Sequence, residues 1–163
     1  MRIEESIVIN RSPEDVFSFL AARRNDPVWM AAVVESRWLE PSGNPGVGRR
    51  GRMAMKTFGR RMEYLDEVTT YEPGRQIAHR TIEGPIDLNT ACLCEPADGG
   101  CRTTVVAEAD KILARPLDPL LARLMRRGFR ADLAKLKQIL EAGAHDRGPV
   151  AEPRRKPQTT AAA

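Results

Sequence analysis

From residue 33 onward the chain alternates apolar and polar positions with a period of two. Turn-forming clusters interrupt the alternation about every ten to fifteen residues, as in a meander of antiparallel strands. The predicted strands are 33–40, ending in PSGNPGVG; 49–58, ending at Gly59; 61–71, ending in EPGR; 76–83, ending at Gly84 and Pro85; 86–95, ending in PADGG; and 101–112. Residues 3–9 add a first strand, with Ile3, Ile7 and Ile9 on one side and Glu5 interrupting it. The last strand is the most clearly two-sided. Arg102, Thr104, Glu108 and Asp110 face one way and Thr103, Val105, Ala107 and Ala109 the other, so one face is wet and the other covered.

Helical spacing appears in two places. In NRSPEDVFSFLAARR, Ser12 is an N-cap and Pro13 the first helical residue, and the apolar residues Val16, Phe17, Phe19 and Leu20 follow. Asn25, Asp26 and Pro27 stop this helix, and Pro27 opens a second short one carrying Val28, Trp29 and Met30. The other helix begins near Asp118 and runs to Gly143. Leu121, Met125, Phe129, Leu133, Leu136 and Leu140 recur along it at three- and four-residue spacing, and Leu120, Leu124 and Ile139 widen the stripe. About 25 helical residues span roughly 37 Å, enough to cross a whole sheet. Gly128 interrupts the stripe, and either close approach of a ligand or strand, or simple close packing, accounts for it.

Composition bounds the class. The chain has 163 residues, 42% hydrophobic and 29% charged, the balance of one globular domain. This domain is placed at 1–143; residues 144–163 are polar, Pro-rich and aperiodic and read as a disordered basic tail. No apolar run is long enough to cross a membrane. Glu4 and Glu5 stand where a signal peptide needs an apolar run, so a cytoplasmic location is expected.

The net charge of +4 invites a nucleic-acid reading. Residues 144–163 hold four positive and two negative side chains, however, which leaves +2 for residues 1–143. The basic clusters Arg49, Arg50, Arg52, Lys56, Arg60, Arg61 and Arg123, Arg126, Arg127, Arg130 read first as solvated faces. An anionic head group or a membrane surface is the alternative partner. No nucleic acid is expected.

Cys92, Cys94 and Cys101 make an odd number of thiols without a disulfide framework, and His79 and His145 lack zinc-ligand spacing. No metal or other cofactor is expected. No GxSxG, HExxH, P-loop or dinucleotide fingerprint occurs.

The order of elements is informative: strand, two short helices, long meander, one long terminal helix. With SPEDVFSFLA after the first strand, NDPVWMAAV around Trp29, the Gly46 and Gly48 turn, YEPGRQIAHRT, LCEPADGGCRTTV and the terminal helix, the chain resembles the SRPBCC superfamily over residues 1–143. These are START-like proteins that include polyketide cyclase/dehydrase and lipid-transport families. Cys101 stands where such proteins usually have Thr, at a position with a structural role. The resemblance implies an α+β helix-grip fold. A curved antiparallel sheet of six or seven strands is gripped by the long helix, and a ligand cavity lies between them.

With the apolar face of each strand turned inward, Met53, Met55, Met62, Tyr64, Asp66, His79, Asp87, Asn89 and Ala107 face this cavity, closed by Trp29, Leu121, Met125 and Phe129. Tyr64, Asp66, His79, Asp87 and Asn89 are its polar candidates, and a single β-bulge would reverse a strand's set. His79 is the candidate general acid/base or hydrogen-bonding group; the competing reading is a packed strand histidine. Two functions are expected from this resemblance and this lining. One is a non-catalytic carrier of a hydrophobic or amphipathic small molecule of the lipid, polyketide or isoprenoid class. The other is an aromatase/cyclase or dehydratase in which His79, with Tyr64 or Asp87, moves a proton. An interaction module built on the arginine clusters ranks third.

Overall fold

The period-two run and the first strand fold into a single curled antiparallel sheet of seven strands in the order β1-β7-β6-β5-β4-β3-β2. The strands are β1 Arg2–Ile9, β2 Val33–Trp38, β3 Arg50–Thr57, β4 Arg60–Glu72, β5 Gln76–Glu83, β6 Leu88–Ala97 and β7 Gly100–Ala109. β2 to β7 are consecutive hairpin neighbours, and β1 closes the other edge beside β7. This computed structural model describes residues 1–40, 43, 45–57, 59–109 and 118–143, leaving aside the side chains of Thr57, Asp118, Pro119 and Leu121. The tail read at 144–163 and the end of the predicted last strand at 110–112 lie outside the described residues.

Helices α1 (Pro13–Ala21) and α2 (Asp26–Trp29) are joined by a 3-10 turn, Arg23–Asn25, and α3 runs Asp118–Glu141. The Ser12 hydroxyl accepts from the Asp15 amide at 3.1 Å, satisfying one of the donors a helix start leaves open. α1 buries Val16, Phe17, Phe19 and Leu20. It packs on β6 and β7, and Phe17 meets Tyr71 edge-on at 5.5 Å.

α3 lies along β1 and reaches α2. Its C-terminal half is clamped. Leu133, Leu136 and Leu140 are fully buried, and the helix is tied to the sheet edge from Lys137 Nζ to the Val8 carbonyl (2.6 Å) and from Arg130 Nε to Glu5 (2.7 Å). Its N-terminal half stands away: Leu120 and Leu124 are 69% and 54% exposed, so they do not widen the buried stripe. Gly128 does not permit close approach either, because a Cβ there would meet nothing within 4 Å. It only weakens the helix locally.

The strand faces follow from register. In an antiparallel pair, directly opposite residues share a face. β6 and β7 are joined through Asp98-Gly99 with Ala97 opposite Gly100, so Thr90 pairs with Ala107, Cys92 with Val105 and Asn89 with Glu108. Thr90 and Cys92 therefore face inward with Ala107 and Val105, and Asn89 outward with Glu108. In β4 a bulge between Val68 and Thr70 shifts the alternation, which puts both Val68 and Tyr71 on the inner face.

Candidate functional site

Sheet and helices enclose a cavity of about 170 Å³. Its floor is Met53 and Met55 of β3, Tyr64 and Asp66 of β4, Ile77, His79 and Thr81 of β5, Leu88, Thr90 and Cys92 of β6, and Val105 and Ala107 of β7. Trp38 borders it from β2. Leu20, Ala21, Arg23, Asp26, Trp29 and Met30 form the wall from the α1–α2 region, and Met125, Phe129 and Asp132 of α3 form the roof. The α3 roof is hydrogen-bonded to the turn that follows α2: the Asp132 carboxylate accepts from the Ala31 amide at 3.0 Å.

Of the residues that the sequence points to, Trp29, Met53, Met55, Tyr64, Asp66, His79, Ala107, Met125 and Phe129 come together here. Met62 lies beyond Tyr64, whose hydroxyl reaches the Met62 sulfur at 3.9 Å. Asp87 and Asn89 do not join them. Asp87 is exposed in the turn before β6, and Asn89 is exposed on the convex face. Ala91 and Leu93, whose apolar character suggests an inward face, share the outer side of β6 with Asn89. Leu121's side chain lies outside the described residues.

One end of the cavity is polar, and the register explains how it forms. Trp38, Gly51 and Asp66 lie opposite one another across β2, β3 and β4. Gly51 leaves a gap in that row, and the Arg23 guanidinium occupies it: a Cβ at Gly51 would sit 2.6 Å from Arg23 Cζ. On one side of the gap Arg23 stacks on the Trp38 ring at 4.6 Å. On the other it forms a buried ion pair with Asp66. Ser36 Oγ accepts from Arg23 at 3.5 Å and donates to Asp26 at 2.7 Å. A buried guanidinium with a stacked ring, a carboxylate and a hydroxyl meets the requirement that buried charge be paired and hydrogen-bonded.

Burial sets the proton affinities at this end. It pushes the Asp26 carboxyl up to about 6, against the opposing pull of the Ser36 hydrogen bond and the Arg23 charge. It raises Asp66 too, although Arg23 pulls that group back. Burial, and then Arg23, push His79 down to about 3, so its imidazole is neutral near pH 7. The Cys92 thiol, also against the cavity, is pushed up to about 12 by burial and is inert as a nucleophile. Buried Trp29 Nε1, His79 Nε2 and Arg23 Nε have no hydrogen-bond partner among the described residues. Also among the described residues, no three His, Cys, Asp or Glu side chains come together as a metal would need, and no helix is long and apolar enough to cross a membrane.

Sequence reasoning missed Arg23 and Asp26. Both sit in RRNDP, which reads as a helix stop; Arg23 is buried in the gap at Gly51, which no periodicity reports, and Asp26 joins it through Ser36. Arg50 and Arg61, members of the first arginine cluster, form surface ion pairs with Glu67 and with Glu35 and Glu63.

A curled sheet gripped by a terminal helix over a mainly apolar cavity is the START-like helix-grip architecture. A family model described as polyketide cyclase / dehydrase and lipid transport matches residues 1–141, and the chain belongs to that family. Solved structures share the fold at low identity. A protein from Thermus thermophilus superposes with TM-score 0.74 at 15% identity, over 88% of this chain and 99% of its own. An aromatase/cyclase from Streptomyces sp. R1128 gives 0.71 at 18% identity, over 91% and 98%. A START superfamily protein from Mycobacterium smegmatis gives 0.67 at 15%, over 85% and 98%. No curated protein sequence matches significantly.

Proposed function

We propose that the protein binds or carries a hydrophobic or amphipathic small molecule of the lipid, polyketide or isoprenoid class in this cavity, without transforming it. The observation that carries this reading is the contrast within the lining. Met53, Met55, Met125 and Phe129 are half-buried around an open volume, while the ionic groups at the far end are already engaged with one another. Desolvation of ligand area at about 25 cal/mol per Å² supplies the affinity. The enclosed volume of about 170 Å³ lies below the roughly 300–1,000 Å³ of drug-sized sites. It suits a ring or two, or part of a chain whose remainder passes the α3 roof.

A second reading, cyclase or dehydratase, draws on the Streptomyces aromatase/cyclase among the similar structures and on Asp26. A carboxyl at about 6 beside the cavity is poised for proton transfer near neutral pH. His79, at about 3, is a weak base there. Native mass spectrometry of the protein as purified, with solvent extraction, tests the carrier reading: a co-purifying apolar molecule released unchanged is the expected result. Conversion of an added polyketone by wild type, lost in Asp26→Asn, would replace it with the enzyme reading.

A further inference from the structure

We infer that the outward face of the N-terminal half of α3 docks on an anionic phospholipid surface, which sets the roof of the cavity against the bilayer. This face is read independently of the host reading above. Where both hold, an apolar ligand passes between lipid and cavity beside that roof.

α3 has two unlike faces where it covers the cavity. Met125 and Phe129 line the cavity from one of them. At 3.6 residues per turn Leu120 and Leu124 fall on the other, about 40° apart, with Arg123 and Arg127 along one side of them. The two leucines are 69% and 54% exposed. A single exposed apolar residue needs no explanation, but a pair one turn apart on the same face is a patch that marks a contact.

Charge identifies what the patch meets. Residues 119–131 contain Arg123, Arg126, Arg127 and Arg130 and no acidic residue. Glu5 engages Arg130. Arg123, Arg126 and Arg127 are exposed and have no ion-pair or hydrogen-bond partner among the described residues. The other arginine cluster differs, because Glu67 neutralises its Arg50 and Glu35 and Glu63 its Arg61. A nucleic acid would pair with guanidinium groups but offers its phosphate backbone to the leucines between them. A second copy of the chain, docked face to face, would set these arginines against each other. A bilayer provides both partners at suitable depths: phosphates at the interface for the arginines, and the acyl boundary beneath them for the leucines. An anionic leaflet adds an attraction for each basic side chain near it.

The test is flotation of the intact chain with vesicles of phosphatidylcholine alone, and of phosphatidylcholine and phosphatidylglycerol in equal parts. Binding to the mixed vesicles is expected to be at least about 10-fold tighter, and to weaken with added salt. Leu120→Gln with Leu124→Gln should weaken it at least about fivefold by removing the apolar contact. Arg123→Gln, Arg126→Gln and Arg127→Gln together should weaken it at least about 10-fold. All five positions are exposed and Gln is a good helix former, so the variants should melt with wild type. Arg154, Arg155 and Lys156 form a separate basic run. The loss caused by the leucine pair is therefore expected to persist in a chain that also carries Arg154→Gln, Arg155→Gln and Lys156→Gln.

Equal binding to the two kinds of vesicle overturns the inference, as does no binding to either. So does binding that ignores the leucine pair, or that is lost only when residues 154–156 are changed. A self-associated chain that the leucine substitutions dissociate also overturns it, because a second copy then covers the face. The host reading survives each of these results, since ligand binding is measured without vesicles.

Discussion

The same sheet is filled at one end and hollow at the other, and the two ends differ in side-chain chemistry. Under α1 and the C-terminal half of α3, Ile9, Val16, Leu133, Leu136 and Leu140 are at most 1% exposed. They are β-branched or leucine side chains in close contact. Under the N-terminal half of α3 the inward positions are Met53, Met55, Met125 and Phe129, all half-buried around the cavity. Leucine and valine specify one packing; methionine adapts to whatever enters. Under the proposed function, this difference gives stability to one end and binding to the other. α3 serves both, clamped by Leu133, Leu136 and Leu140 while Met125, Phe129 and Asp132 form the roof.

The largest expected effect tests this division directly. Leu136→Ala should lower the unfolding free energy by about 2–5 kcal/mol, because it opens a cavity in packed surroundings. Met55→Ala enlarges a space that already exists, and should cost less than half as much while changing ligand affinity. Urea denaturation of both variants checks the ranking. Equal losses would mean that the two ends are packed alike.

A smaller effect, of about 1.4 kcal/mol per pH unit at most, separates the polar groups. Asp26, raised by burial from 3.8 to about 6, holds a proton in the folded state after the unfolded chain has released it. Its contribution to stability therefore falls as pH rises from about 4 to about 6. His79, pushed by burial from 6.5 down to about 3, stays neutral in the folded state while the unfolded chain takes up a proton. Its contribution is lost as pH falls from about 6.5 towards 3. The two slopes oppose each other and nearly cancel in the wild type between about pH 4.5 and 6. Relative to wild type, Asp26→Asn should lose stability on acidification across that window, and His79→Gln should gain it. Parallel profiles for all three proteins in urea titrations would show that neither group is buried as described.

The filled end was legible in the sequence and much of the polar end was not, for identifiable reasons. The helix cap at Ser12, the meander and the Leu133–Leu136–Leu140 spacing are local patterns, and local patterns survive folding. The face of β6 was also present in the sequence, through a less direct route. The two-residue Asp98-Gly99 turn is a hairpin signal, and it fixes Thr90 opposite Ala107 and so turns Asn89 outward. The alternation of β6 alone does not reveal this, because both of its faces mix small, polar and apolar residues. The Arg23 pocket is different in kind. It exists because Gly51 lies between Trp38 and Asp66 in a row assembled from three strands, and the arginine arrives from a fourth segment. No periodicity within one element carries that information.

The central claim is that the space under α3 is a ligand site, and not an incidental packing gap. Calorimetric titration of 2-ethylnaphthalene into wild type and Met55→Trp, in which the indole fills the hollow, tests it most directly. The account predicts saturable one-to-one binding with a negative heat-capacity change in wild type, and its loss in Met55→Trp at a thermal midpoint within a few degrees. Equal binding by a folded Met55→Trp protein would contradict it.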